Sequence, residues 1–298
     1  MSKGKYVKRR KKNSFFFYLL LMILIAIFAF SAWYLADYFI NSKQQSGEYD
    51  DLAALVQNAQ ASAATKPREP QATVPGNPGD PSDPTDGTIP AEQPLPPVIE
   101  DILDEESGVL LEYAPLYEMN TDMAGWIRIE NTKVNYPVMH TPGRTDYYLR
   151  RNFQGQTSDW GALYAREECD LNEPSDNVTI YGHNMKDGSM FATLNSYRNR
   201  DFWKSHRYIQ FDTLTEHHTY EIFAVFVTTA SEGKGFDYHE FINARDEMDF
   251  DTFIAKCLSL SLYGTDIVPE YGDKIICLST CEYTVENGRL VVAAVRIN

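Results

Sequence analysis

The chain has 298 residues, 43% of them hydrophobic, and 27 Lys and Arg against 42 Asp and Glu give a formal net charge of −15. That length holds one large domain or two small ones, with room for a full hydrophobic core. Seven basic residues fall in the first twelve positions, so the remainder carries 20 against 42, or −22. This excludes nucleic acid and anionic lipid as partners of most of the surface.

The basic cluster (Lys3, Lys5, Lys8, Arg9, Arg10, Lys11, Lys12) precedes 24 uncharged residues, 13–36. As a helix they would reach about 36 Å, enough to cross a bilayer. Only Lys43 is basic in the flank beyond. The positive-inside rule then makes residues 1–12 a cytoplasmic basic tail and 13–40 a single-pass transmembrane signal anchor, with the rest of the chain outside the cell. A cleaved signal peptide is the alternative, but its apolar core would be shorter, and Trp33-Tyr34 suits an interfacial belt.

Residues 41–65 read as a juxtamembrane segment, in which Leu52, Leu55 and Val56 keep helical spacing and predict a short, solvent-exposed helix over 49–60. Residues 66–97 hold ten of the fifteen prolines. Such a composition cannot bury enough apolar surface to order itself, so it predicts a disordered linker reaching at most about 100 Å.

The folded domain is expected over 98–298. Residues 102–119 have apolar spacing suited to two short helices, one begun or broken by Pro115. Strand-like runs follow at 126–129, 134–139, 162–164, 178–181, 208–211, 220–229, 274–278 and 289–297. Eight short strands joined by turn-rich segments predict a mainly β, closed or nearly closed barrel. Helices are expected at 146–151, 191–197 and 248–263.

Two stretches carry the chemistry. Residues 275–281 (IICLSTC) read as a strand, and 289–292 (RLVV) as a second one returning after Asn287-Gly288, a pair that favours a tight turn. The resulting hairpin brings the Cys281 thiol beside the Arg289 charge. Cys277 lies on the same strand face about 13 Å away, too far for a bridge to Cys281. Whether Cys169 and Cys257 pair stays open. Upstream, Val178-Thr179-Ile180-Tyr181-Gly182-His183 is an apolar strand ending in Gly and His. None of the six histidines has the spacing of a metal site. Taken alone, Cys281 is equally readable as a buried small hydrophobe and His183 as a surface histidine.

Tyr181-Gly182-His183-Asn184-Met185-Lys186-Asp187-Gly188-Ser189-Met190-Phe191, Leu278-Ser279-Thr280-Cys281 and Arg289 together resemble a class B sortase, a membrane-anchored cysteine transpeptidase of Gram-positive bacteria. The likeness runs from about Leu110 to Asn298 and includes Gly125-Trp126-Ile127, Tyr136-Pro137-Val138, Asp146-Tyr147-Tyr148-Leu149 and Ser261-Leu262-Tyr263. It implies an eight-stranded barrel with added N-terminal helices and a helix between the sixth and seventh strands. It also implies that His183, Cys281 and Arg289 are catalytic. Leu149, Tyr181 and Ser279 match positions lining the family's sorting-signal groove, and the Glu282 backbone N–H would help hold an oxyanion. Thr145 departs from relatives that carry an amide there.

The activity implied is cleavage of a C-terminal sorting signal on secreted proteins through a thioester. The acyl group then passes to an amine of a lipid-linked cell-wall precursor or of peptidoglycan, with no cofactor. A cysteine peptidase and a non-enzymatic, membrane-tethered binding domain are the competing readings. Peptidases of the papain kind usually place the nucleophile before the histidine and on a helix, whereas here His183 precedes Cys281 and the cysteine ends a strand.

Overall fold

The structure, a computed structural model, describes residues 14–64, 93–231 and 233–298. The predicted basic tail and nearly all of the predicted linker lie outside the described residues. The chain divides into two compact units, Met1–Glu48 and Tyr49–Asn298.

The described part of the first unit belongs to helix α1 (Ser14–Ala64), where Phe15, Phe16, Met22, Phe28, Phe30 and Trp33 are all exposed. A helix apolar all round with no covered face is suited to hydrocarbon rather than water. Among the described residues it is the one helix long and apolar enough to cross a membrane.

Residues 49–64 of α1 belong to the second unit. Tyr49, Leu52, Ala53 and Val56, spaced i, i+3, i+4, i+7, are buried. The Tyr49 hydroxyl donates to the Gly161 carbonyl at 2.8 Å, and Gln60 Nε2 donates to Glu112 Oε1 at 3.3 Å. The expectation of a solvent-exposed helix is therefore corrected. Leu55, taken for its apolar face, is the residue left exposed, at 43%.

All eight expected strands form: β1 (Met123–Arg128), β2 (Asn135–Met139), β3 (Leu163–Ala165), β4 (Asn177–Tyr181), β5 (Tyr208–Thr213), β6 (Thr219–Thr229), β7 (Ile275–Glu282) and β8 (Gly288–Arg296). They close into a barrel in the order β1-β2-β3-β4-β7-β8-β6-β5, with β5 pairing back to β1. Most pairs are antiparallel, but β2 runs parallel to β3 and β4 to β7.

The helices differ more from expectation. Only α2 (Ala114–Met119) forms within 102–119, with Pro115 in its first turn, where a missing N–H costs no bond. Upstream, the Asp104 carboxylate accepts the Glu106 and Ser107 N–H groups. Gly108 takes φ +69°, and Leu103 bridges to Leu110. A side chain that captures local N–H groups gives the backbone an alternative to helix. The helix expected at 146–151 is instead a run of turns opened by Asp146 at φ 51°, a conformation no right-handed helix contains. A 3-10 helix (Phe191–Arg198) and α4 (Glu247–Leu260) appear where helices were expected, and α3 (Arg200–Ser205) is additional.

Helix α4 is capped by the Asp246 carboxylate, which accepts the Asp249 N–H at 2.9 Å. Its buried face, Phe250, Phe253, Ile254 and Cys257, packs with Phe223, Ile275, Cys277, Val291, Ala293 and Val295. Since strand side chains alternate, Ile276, Leu278, Leu290, Val292 and Ala294 face the barrel interior, and all are fully buried. Cys281 shares the outer face with Cys277. The four cysteines are free, so Cys169 and Cys257 are not paired.

His217, on the β5–β6 connection, sits with its ring nitrogens 3.2 Å from Glu112 Oε1 and 3.1 Å from Asp212 Oδ2, and Asp212 also accepts the Tyr113 hydroxyl. Burial alone would lower its pKa, but the two carboxylates outweigh burial and raise it from 6.5 to about 10. A folded-state pKa above the unfolded one stabilises fully below pH 6.5, and that contribution is lost as pH rises through about 10. Replacing His217 with Gln leaves two carboxylates without their cation and should lower the melting temperature by roughly 5–10 °C at pH 7. Melting curves across pH should show that gap closing above pH 10; a gap that stays constant contradicts the pairing.

Candidate active site

The end of β4 and the hairpin β7–β8 converge on one cleft of about 450 Å³, lined among others by Leu149, Tyr181, His183, Ser279, Cys281 and Arg289. Register explains the convergence. On the parallel pair, Tyr181 is opposite Ser279, and His183 and Cys281 each follow two residues beyond on the same cleft. On the antiparallel pair, Cys281 is opposite Arg289. Neighbouring strands lie about 4.8 Å apart, so His183, Cys281 and Arg289 reach the same cleft from three adjacent strand ends.

Short bonds hold the strand ends together. The Gly182 N–H donates to the Ser279 carbonyl at 3.1 Å, Thr280 Oγ1 to the Gly182 carbonyl at 2.8 Å, and Asn184 Nδ2 to the Cys281 carbonyl at 2.9 Å. Gly182 has no space for a side chain, because a Cβ there would lie 2.4 Å from Leu163 Cδ2 and 2.6 Å from Phe191 Cδ2. The expected short connection forms. Glu282 pairs with Gly288, so residues 283–287 make the connection, and Asn287 alone supplies the positive φ, 52°.

Cys281 is the one partly accessible thiol of the four. Burial raises the pKa of Cys169, Cys257 and Cys277, keeping those thiols protonated and inert. His183 lies 2.7 Å by Nε2 from the Leu149 carbonyl. A carbonyl only accepts, so Nε2 carries the proton and Nδ1 is the nitrogen left for chemistry. Arg289 donates from Nη1 to the Asn287 and Gly288 carbonyls at 3.3 and 3.0 Å, which orients the guanidinium without neutralising it.

Of the expected groove residues, Leu149 and Tyr181 line the cleft, as does Ser279, whose hydroxyl is 2.5 Å from that of Tyr238. The Glu282 side chain turns elsewhere. Its carboxylate is buried, accepts Thr284 N–H and Oγ1–H, and pairs with Arg198 at 2.6 Å, so any part it takes in the cleft is through its backbone. Thr145 lies on the cleft wall. The sequence reading missed the opposite wall, Thr228 and Phe236 to His239. These residues come from the end of β6 and the connection after it, whose composition carries no signal beyond that of a loop.

The family described as the sortase domain matches residues 127–297. Sortase B of Listeria monocytogenes is 36% identical over 184 residues, 61% of this chain and 72% of that protein. Sortase B of Staphylococcus aureus is 28% identical over 186 residues, 61% and 73% of the two. The solved Staphylococcus aureus sortase B–substrate complex superposes with a TM-score of 0.66 at 22% identity, over 87% of this chain and 99% of that one, a likeness of fold. The chain belongs to the sortase family, the cysteine transpeptidases of cell-wall anchoring. Within it the chain is a class B sortase.

Proposed function

We propose that Cys281, His183 and Arg289 cleave a C-terminal sorting signal of secreted proteins and transfer the acyl group to an amine of a lipid-linked cell-wall precursor or of peptidoglycan. The observation that carries this is that Cys281, His183 and Arg289 line one cleft, with Cys281 paired opposite Arg289. The Cys281 thiolate attacks the scissile carbonyl carbon, since the thiol itself is a poor nucleophile. Arg289, charged at any working pH, stabilises the oxyanion together with the Glu282 backbone N–H. His183 Nδ1 takes the proton that the Cys281 thiol gives up, and as the C–N bond breaks it passes that proton to the departing amine, leaving the acyl group on sulfur as a thioester. The acceptor amine then attacks, His183 takes its proton, and the thiolate leaves. Leu149, Tyr181 and Ser279 form the floor and wall along which the signal lies.

Residues 13–40 anchor this chemistry in the membrane, with 1–12 in the cytoplasm and the catalytic unit, which includes the helical residues 49–64 as well as 98–298, outside. Both substrates reside at that surface, so confinement raises the effective concentration of enzyme for each. Incubating the full chain in detergent with a sorting-signal peptide and an added amine tests the reaction. Amide formed in proportion to the amine supports transfer; hydrolysis unaffected by the amine overturns it.

A further inference from the structure

We propose that Tyr49, on the juxtamembrane part of α1, is a positioning residue for His183, so that docking of this helix sets the orientation of the imidazole. The inference rests on the catalytic reading of His183 above. Two short routes run from the one side chain to the two ends of the histidine loop.

The first route passes through Gly161. Tyr49 is 4% exposed and its hydroxyl donates to the Gly161 carbonyl at 2.8 Å. Gly161, at φ +62°, lies so close to the preceding turn that a Cβ on it would fall 2.6 Å from the Leu149 carbonyl oxygen and 2.9 Å from that of Tyr148. The Ala162 N–H donates to the same Tyr148 carbonyl at 3.1 Å. That Leu149 carbonyl is the one 2.7 Å from His183 Nε2. Packing with no slack transmits a shift instead of absorbing it. Movement at Gly161 therefore displaces the acceptor that fixes both the ring and its tautomer.

The second route passes through Tyr136. The Tyr49 ring meets it edge-on, centroids 5.4 Å apart at 89°. The Tyr136 hydroxyl accepts the Met190 N–H at 3.1 Å. Met190 holds φ 54°, unusual for a side chain with a Cβ, and bridges to Asn184 to close the loop that follows His183. The Phe191 N–H then donates to the His183 carbonyl at 3.0 Å. One tyrosine thus braces the carbonyl under the imidazole and the loop behind it.

A residue acting in this way alters proton transfer more than substrate binding. In the full chain in detergent, Tyr49→Phe removes the hydroxyl bond but keeps the ring on Tyr136, and should lower kcat about three- to tenfold with KM little changed. Tyr49→Ala removes both routes and should lower it further. The readout independent of activity is the NMR signal of the His183 ring. The Nε2 proton, held at one position in the unaltered chain, should lose its fixed shift in Tyr49→Phe. Tyr49→Phe that melts normally with an unmoved imidazole signal and unmoved kcat overturns the proposal, as does a loss of kcat that only follows the fraction unfolded. Failure of the underlying reading looks different: His183→Ala would then retain transfer whatever Tyr49 does.

Discussion

Cys281→Ala is expected to abolish transfer, with turnover falling roughly 10⁴-fold or more, because no other group on the cleft can form the thioester. The loss should not be one of folding. Cys281 is partly exposed at the end of its strand, and substitutions at such positions usually move stability by about 0.5 kcal/mol or less. Steady-state transfer and a melting curve on the same sample separate the two effects. The same burial pattern predicts that alkylation of the folded chain adds one label, at Cys281, since Cys169, Cys257 and Cys277 are buried. Labelling at a buried cysteine ahead of Cys281 would contradict the site as described.

The second large effect is expected at Arg289. Arg289→Met removes a fixed charge and its donors from the cleft that Cys281 also lines, and loss of an oxyanion donor typically costs about 3 kcal/mol, or 10²–10³ in kcat. KM should change little, because this stabilisation appears only as the carbonyl becomes an oxyanion. Arg289→Lys should recover only a small part. A single ammonium cannot both donate to the Asn287 and Gly288 carbonyls, as Arg289 does, and present a further N–H in a fixed plane. If the lysine variant matched the wild type, charge alone would suffice and the orienting role of the turn would be refuted.

Both effects depend on features that were legible in the sequence for different reasons. The eight strands announce themselves locally, because alternating apolar residues reflect a sheet with one face in the barrel and the other under α4 or solvent. Cys281 and Arg289 become neighbours through a single hairpin, so reading residues 275–292 was enough. His183 is harder, since the strand before it reaches the cleft of Cys281 through the parallel pairing of β4 with β7, a contact distant in sequence; the resemblance to a family supplied what spacing could not.

What escaped was set by long-range or side-chain capture. Asp104 captures the N–H groups of Glu106 and Ser107, and Asp146 sits at φ 51°, so the helices expected at 102–113 and 146–151 do not form. The buried stripe of Tyr49, Leu52, Ala53 and Val56 has a helical signature, but what covers Tyr49, namely Gly161 and Tyr136, is distant in sequence. No local pattern marks His217 as the cation between Glu112 and Asp212, or Tyr238 as the hydroxyl partner of Ser279. Each belongs to a different element from its partners.

The central claim is that an acyl group passes through the sulfur of Cys281. Mixing the full chain with a sorting-signal peptide in the absence of amine, quenching in acid and measuring intact and digested masses tests this directly. The account predicts an adduct equal to the peptide's N-terminal fragment on the segment bearing Cys281, discharged when an amine is added before the quench. No adduct, or one attached elsewhere and indifferent to amine, would contradict it.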